Sequence, residues 1–192
     1  MKNLLRFFSC LVVLLGMCFT VLPQDAHAEF PERPVGFVVM DQDGDVDGAI
    51  YKEWRSVVKW AYHFPYYKIT DDGTAQKLVT DAVRDGAKVE QATMAALAEK
   101  AKVDVLVLVR VYELDEEMVS SWALADDHDT YVRVRASADM FVYKKDGEKF
   151  LKKKLRERHL YDMGNVTHPE ETIKWELSKL VNTMEGRPII GA

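Results

Sequence analysis

The chain has 192 residues, 48% of them hydrophobic and 30% charged, with a formal net charge of −5. Its cysteines, Cys10 and Cys18, both precede residue 29, which excludes a disulfide framework, a thiolate nucleophile and a cysteine-held metal from the remainder. That remainder is long enough to bury an ordinary hydrophobic core.

Met1–Ala28 has the layout of a secretory signal. Lys2 and Arg6 stand at its start, an apolar run extends from Leu4 to Leu22, and Ala26-His27-Ala28 forms a small-x-small cleavage site. Cleavage there leaves residues 29–192 as a single globular domain with a net charge of −6, exported to the periplasm or secreted. Lipid anchoring at Cys18 is disfavoured, because Met17 stands where acylation signals place a small residue. No later apolar run approaches the roughly 20 residues of a membrane span, so no transmembrane span is expected after signal cleavage.

Pro31 and Pro34 predict an irregular start. Gly36–Met40 is short, apolar and rich in strand formers, so it predicts a buried strand. After an acidic loop at residues 41–48, Ile50, Trp54, Val57, Val58 and Ala61 share one helical face, and His63-Phe64-Pro65 stops that helix. Tyr66–Thr70 predicts a second strand. Two amphipathic helices follow, one marked by Ala75, Leu78, Val79, Ala82 and Val83, the other around Glu90–Lys102. Val103–Val111 is apolar on both faces, which predicts a central strand covered on both sides. Tyr131–Tyr143 alternates apolar residues with Arg133, Arg135, Ser137 and Asp139, an antiparallel strand with one wet face. Asp146-Gly147 predicts a hairpin turn into a returning strand at Phe150–Leu160. Thr167-His168-Pro169-Glu170 reads as a capping box opening a last helix that buries Ile173, Leu177, Leu180 and Met184. The order predicts an α/β domain, with a mixed β-sheet, an antiparallel hairpin portion and helices packed on the sheet faces.

The strand Val35-Gly36-Phe37-Val38-Val39-Met40 leading to a helix, the segment Ala98–Val109, the Asp146-Gly147 hairpin and the closing helix together follow a known order. This layout, from Pro34 to Gly186, resembles the envelope domains of the TolB amino-terminal type, a group that includes CsgG and LpoB. The resemblance implies a periplasmic or envelope-associated binding domain. It transfers no catalytic residue, because that group acts through surfaces, as adaptors, activators or pore subunits.

Two local features suggest chemistry. In the acidic loop, Asp43, Asp45, Asp47 and Gly48 match the start of a calcium loop, where alternate carboxylates converge on a hard cation. The twelfth position is Trp54 where a bidentate Glu is expected, so an ordinary EF-hand is not supported; the competing reading is a solvated loop placing negative charge near a helix start. The second feature is charge asymmetry. Residues 131–160 hold ten basic residues against four acidic ones, and Arg133, Arg135, Lys152, Lys154, Arg156 and Arg158 are the candidate partner-binding set. Such a basic hairpin suits an envelope protein or an anionic envelope polymer. The bland alternative is a solvated edge whose lysines prevent aggregation.

Nucleotide-binding and serine-hydrolase motifs are absent from the sequence, and export argues against a nucleic-acid partner. His63, His128, His159 and His168 are scattered without metal-ligand spacing. Asp126-Asp127-His128-Asp129 could be written as an acid/base cluster, but polar loop residues are expected there anyway. Trp54 and Trp60 point in different directions from one helix, and Tyr62, Phe64, Tyr66 and Tyr67 gather near its end. The leading expectation is a non-enzymatic exported envelope or periplasmic binding or adaptor domain, with no required cofactor. A calcium-binding or calcium-stabilised module is the alternative, and a small periplasmic hydrolase ranks third.

Overall fold

A computed structural model describes residues 31–41, 48–63, 65–120 and 130–188, and Glu32–Ala192 form one compact unit. Five strands make one sheet: β1 (Arg33–Met40), β2 (Tyr67–Ile69), β3 (Val105–Ser120), β4 (Thr130–Lys144) and β5 (Lys149–Asp162). Their spatial order is β2-β1-β3-β4-β5. β1 pairs in parallel with β2 and β3, while β3, β4 and β5 are antiparallel neighbours. The mixed sheet and α/β class agree with the sequence reading. Among the described residues, no helix is long and apolar enough to cross a membrane.

Helices cover both faces because the central strands are apolar on both. Val35, Phe37 and Val39 of β1 and Val105, Val107 and Val109 of β3 meet Trp54 and Val58 of α1 (Gly48–Ala61) and Ile173 and Leu177 of α4 (Pro169–Met184). On the other face, Val38, Met40, Leu106 and Leu108 meet Val79 of α2 (Thr74–Arg84) and Met94 and Leu97 of α3 (Gln91–Ala101). β3 is therefore the central strand that its composition predicts.

The second layer sits close to the sheet at Gly36. A Cβ built there would lie 3.0 Å from Ala75 Cβ and 3.1 Å from Leu106 Cδ1. Gly36→Ala should cost about 1–3 kcal/mol through overpacking. Chemical denaturation measures it, and an unchanged midpoint would mean that α2 rides higher than described.

Four expectations need correction. Pro34 lies inside β1, opposite Lys68 of β2 and near the strand start, where a missing N–H is tolerated. The second strand shrinks to three residues. Thr167 does not cap α4: Pro169 takes the first helical position and holds His168 extended before it, so His168 is the N-cap, without a side-chain capping bond. The wet face of β4 is wet only at its far end. Phe141 and Tyr143 lie under α2 and α3, and Ser137 and Asp139 are buried.

β3 runs nine residues beyond Val111, through a charged stretch whose faces are set by a bulge. The register steps from Val111 opposite Ala138 to Glu113 opposite Ser137, leaving Tyr112 as the extra residue. One extra residue exchanges the two faces of everything after it. Glu113, Asp115 and Glu117 consequently share the face of Arg133 and Arg135, while Leu114 joins the α1–α4 core.

Candidate functional site

Among the described residues, a groove of about 880 Å³ lies between α1 and the edge strand β2. Arg55, Ser56, Lys59 and Trp60 line it from one stripe of α1, at helical spacings of one, four and five. Tyr67, Lys68 and Ile69 of β2 form the opposite wall, with Glu32 and Arg187 from the two ends of the domain. Trp60 is 63% exposed, whereas Trp54 on the same helix is fully buried. Tyr62 is 1% exposed and packs edge-to-face on Tyr67 with centroids 5.1 Å apart.

The charges of this groove are only partly matched. Arg55 pairs with Asp71, and Lys68 with Glu32 at 3.5 Å. Among the described residues, Lys59 and Arg187 have no carboxylate partner. The Tyr62 hydroxyl is buried and has no hydrogen-bond partner at normal distance among them. Burial first, and the Glu185 carboxylate after it, holds this phenol far above its ordinary range, so it stays protonated. His63 is occupied by a contact from its ring Nδ1 to the Trp60 carbonyl at 3.0 Å. Aromatic walls, two unmatched cations and a buried hydroxyl suit a ligand that joins a flat apolar part to an anionic group.

The hairpin surface divides in two. Arg133 pairs with Glu117 at 3.1 Å, and Arg135 lies 3.5 Å from Glu113 and 3.4 Å from Asp115. Arg156 pairs with Asp139 at 2.8 Å and covers the Tyr112 ring at 4.8 Å, while the Tyr112 hydroxyl donates to Asp139 at 3.2 Å. Lys152 stands over the Phe141 ring at 5.3 Å. Lys154 and Arg158 are exposed, with no carboxylate partner among the described residues. Sequence reasoning counted the hairpin's cations but missed the acidic stretch of β3 that neutralises two of them, Arg133 and Arg135. Alternation of Glu113, Asp115 and Glu117 with the same period as Arg133 and Arg135 was the available signal.

Asp43, Asp45 and Asp47, and the segment Asp126–Asp129 with His128, lie outside the described residues. Among the described residues no cluster of His, Cys, Asp and Glu suits a metal ion.

His168 joins the first turn of α4 to the long ribbon, with Nδ1 2.7 Å from Glu116 Oε2. That hydrogen bond, and then the carboxylate's charge, raises the imidazole above its ordinary 6.5, with Glu170 and Glu171 adding to the effect. A raised folded pKa stabilises fully below the unfolded value and fades as pH rises through the folded one. The midpoint difference between the chain and Glu116→Gln should be largest near about pH 6 and close toward about pH 9. A thermal-melt series reads it; a difference independent of pH would show that the histidine charge contributes nothing.

No family model matches the chain, and no curated protein does. Among solved structures it is similar to a hypothetical protein of Chlamydia trachomatis at 9% identity and a TM-score of 0.43, covering 81% of this chain and 97% of that one. A lipoprotein of Neisseria meningitidis aligns at 14% identity and a TM-score of 0.33 over 81% of this chain and 99% of that one. Rare lipoprotein B of Shewanella oneidensis aligns at 10% identity and 0.35 over 79% and 94%. Likenesses at these identities and scores assign neither an activity nor a family.

Proposed function

We propose that the chain is an exported, non-enzymatic binding or adaptor domain of the cell envelope, and that the groove between α1 and β2 is its principal binding surface. The observation that carries this reading is the groove itself: exposed Trp60 beside Lys59 and Arg187, neither of which has a carboxylate partner among the described residues, over the buried hydroxyl of Tyr62. The secretory layout of Met1–Ala28 supports export, and the resemblance to the TolB amino-terminal group supports an envelope setting. Such a surface combines an exposed aromatic anchor with charged residues, both of which protein-binding patches use.

The test is a photocrosslinking residue at position 60 in the full chain, expressed in cells, with Lys59→Gln and Arg187→Gln as the comparison. One dominant adduct, weakened by the paired substitution while the melting midpoint holds, supports the reading. Absence of any adduct, together with turnover of a hydrolase substrate panel by the purified chain, would replace it with the enzymatic alternative.

The calcium alternative rests on the sequence pattern of Asp43, Asp45 and Asp47. A melt in calcium, magnesium and chelator decides it, since a site saturated at a hundred times its Kd adds about 2.7 kcal/mol. A calcium-selective rise lost in Asp45→Asn/Asp47→Asn would establish it, and superimposable melts would remove it.

A further inference from the structure

β5 is a fourteen-residue edge strand. β4 pairs with it along its whole length on one side, and no described segment hydrogen-bonds to the other side. A free edge of this length is a template for another strand. On its α4 side Lys153 is bound to Glu176 at 3.0 Å. On the opposite side Lys152, Lys154, Arg156 and Arg158 follow one another at every second residue, a spacing of about 6.6 Å along an extended chain.

Three of these four cations lack a carboxylate. Lys154 lies opposite Asp139, but both oxygens of that carboxylate are taken, one by Arg156 and one by the Tyr112 hydroxyl. Arg158 lies opposite Arg135, a like-charged pairing that disfavours itself. Lys152 has only the Phe141 ring. A second β5 cannot be the occupant, because it would set cation against cation along the same row. A polyanion would meet the charges and leave the backbone edge unpaired.

We infer that β5 accepts an extended acidic segment of a partner protein as a sixth strand, with Asp or Glu at alternate positions facing Lys152, Lys154 and Arg158. Each acidic side chain then stands directly opposite one cation, with Cβ atoms about 5 Å apart, and main-chain hydrogen bonds supply the rest of the affinity. The inference rests on the chain being a binding domain and is independent of the groove.

The experiment titrates the full chain against a labelled synthetic peptide in which Glu alternates with Thr and Val, read by fluorescence anisotropy. Its companions are an isomer with the same residues and the Glu grouped in a block, the alternating peptide N-methylated on every second amide, and heparin. The alternating peptide should bind and protect β5 amides from hydrogen exchange, and Lys152→Gln/Lys154→Gln/Arg158→Gln should raise its Kd at least about tenfold. Lys153→Gln, on the other side of the strand, and Trp60→Ala, in the groove, should leave it unchanged. Equal binding of the block isomer, the N-methylated peptide or heparin would reduce the surface to general charge attraction and overturn strand addition. So would failure of the alternating peptide to bind. Loss of binding in Trp60→Ala alone would move the site to the groove.

Discussion

Replacing Trp54 with alanine should lower the unfolding free energy by about 3–5 kcal/mol, the usual result of deleting a large aromatic side chain from a packed core. Trp54 is fully buried between α1, α4 and the sheet. Its Nε1 also donates to the Glu170 carbonyl at 3.0 Å, tying α1 to the first turn of α4 across 116 residues of sequence. The substitution removes the ring's contacts and leaves that carbonyl without its donor, and the melting midpoint should fall by roughly 10 °C or more. Trp54→Phe should recover most of the packing and lose about 1 kcal/mol for the missing hydrogen bond. Trp60→Ala, six residues along the same helix but exposed, should stay within about 0.5 kcal/mol of the parent. Urea denaturation of the three variants separates these cases. Equal losses at positions 54 and 60 would mean that α1 does not present the face described.

The two tryptophans also show what a sequence can disclose. Helical spacing alone separates them around α1, so one had to face the core and the other could face solvent, as the structure has it. Helical periodicity likewise located the four helices, while β1 and the double-faced β3 were legible as short apolar runs, because strands covered on both faces bury consecutive residues. Within β3, legibility ended at Tyr112. Past that bulge the alternation continues with its faces exchanged, so a period of two counted from the valines sets Glu113, Asp115 and Glu117 on the wrong face. Only the β3–β4 register shows them opposite the hairpin arginines.

The groove was legible in parts. Aromatic residues crowding the end of α1 were visible in the sequence, but Lys59, Arg187 and Glu32 are brought together by topology. β2 lies beside β1 at the sheet edge, and the chain leaves α4 near the same corner. No local pattern encodes that convergence. Lys144 and Glu185, 41 residues apart, were hidden for the same reason.

That last pair yields the other large effect. Lys144 ends β4, Glu185 follows α4, and their side chains are only 12% and 10% exposed with Nζ 2.9 Å from Oε2. Burial alone would lower the lysine's pKa; hydrogen bonds to Glu185 and then to Tyr67 reverse that and leave it raised. The ammonium also stands 5.8 Å from the Tyr67 ring centroid, in the wall of the groove. Removing one partner strands a part-buried charge, so Lys144→Met or Glu185→Leu alone should each cost about 2–4 kcal/mol. Removing both replaces the pair with apolar contact, and the double variant should return to within about 1 kcal/mol of the parent or exceed it. Urea denaturation of the four proteins in a double-mutant cycle gives the coupling directly. Additive losses would show that the pair is solvated and independent. A strong coupling would show that the end of α4 is fastened to the sheet by an ion pair beside Tyr67.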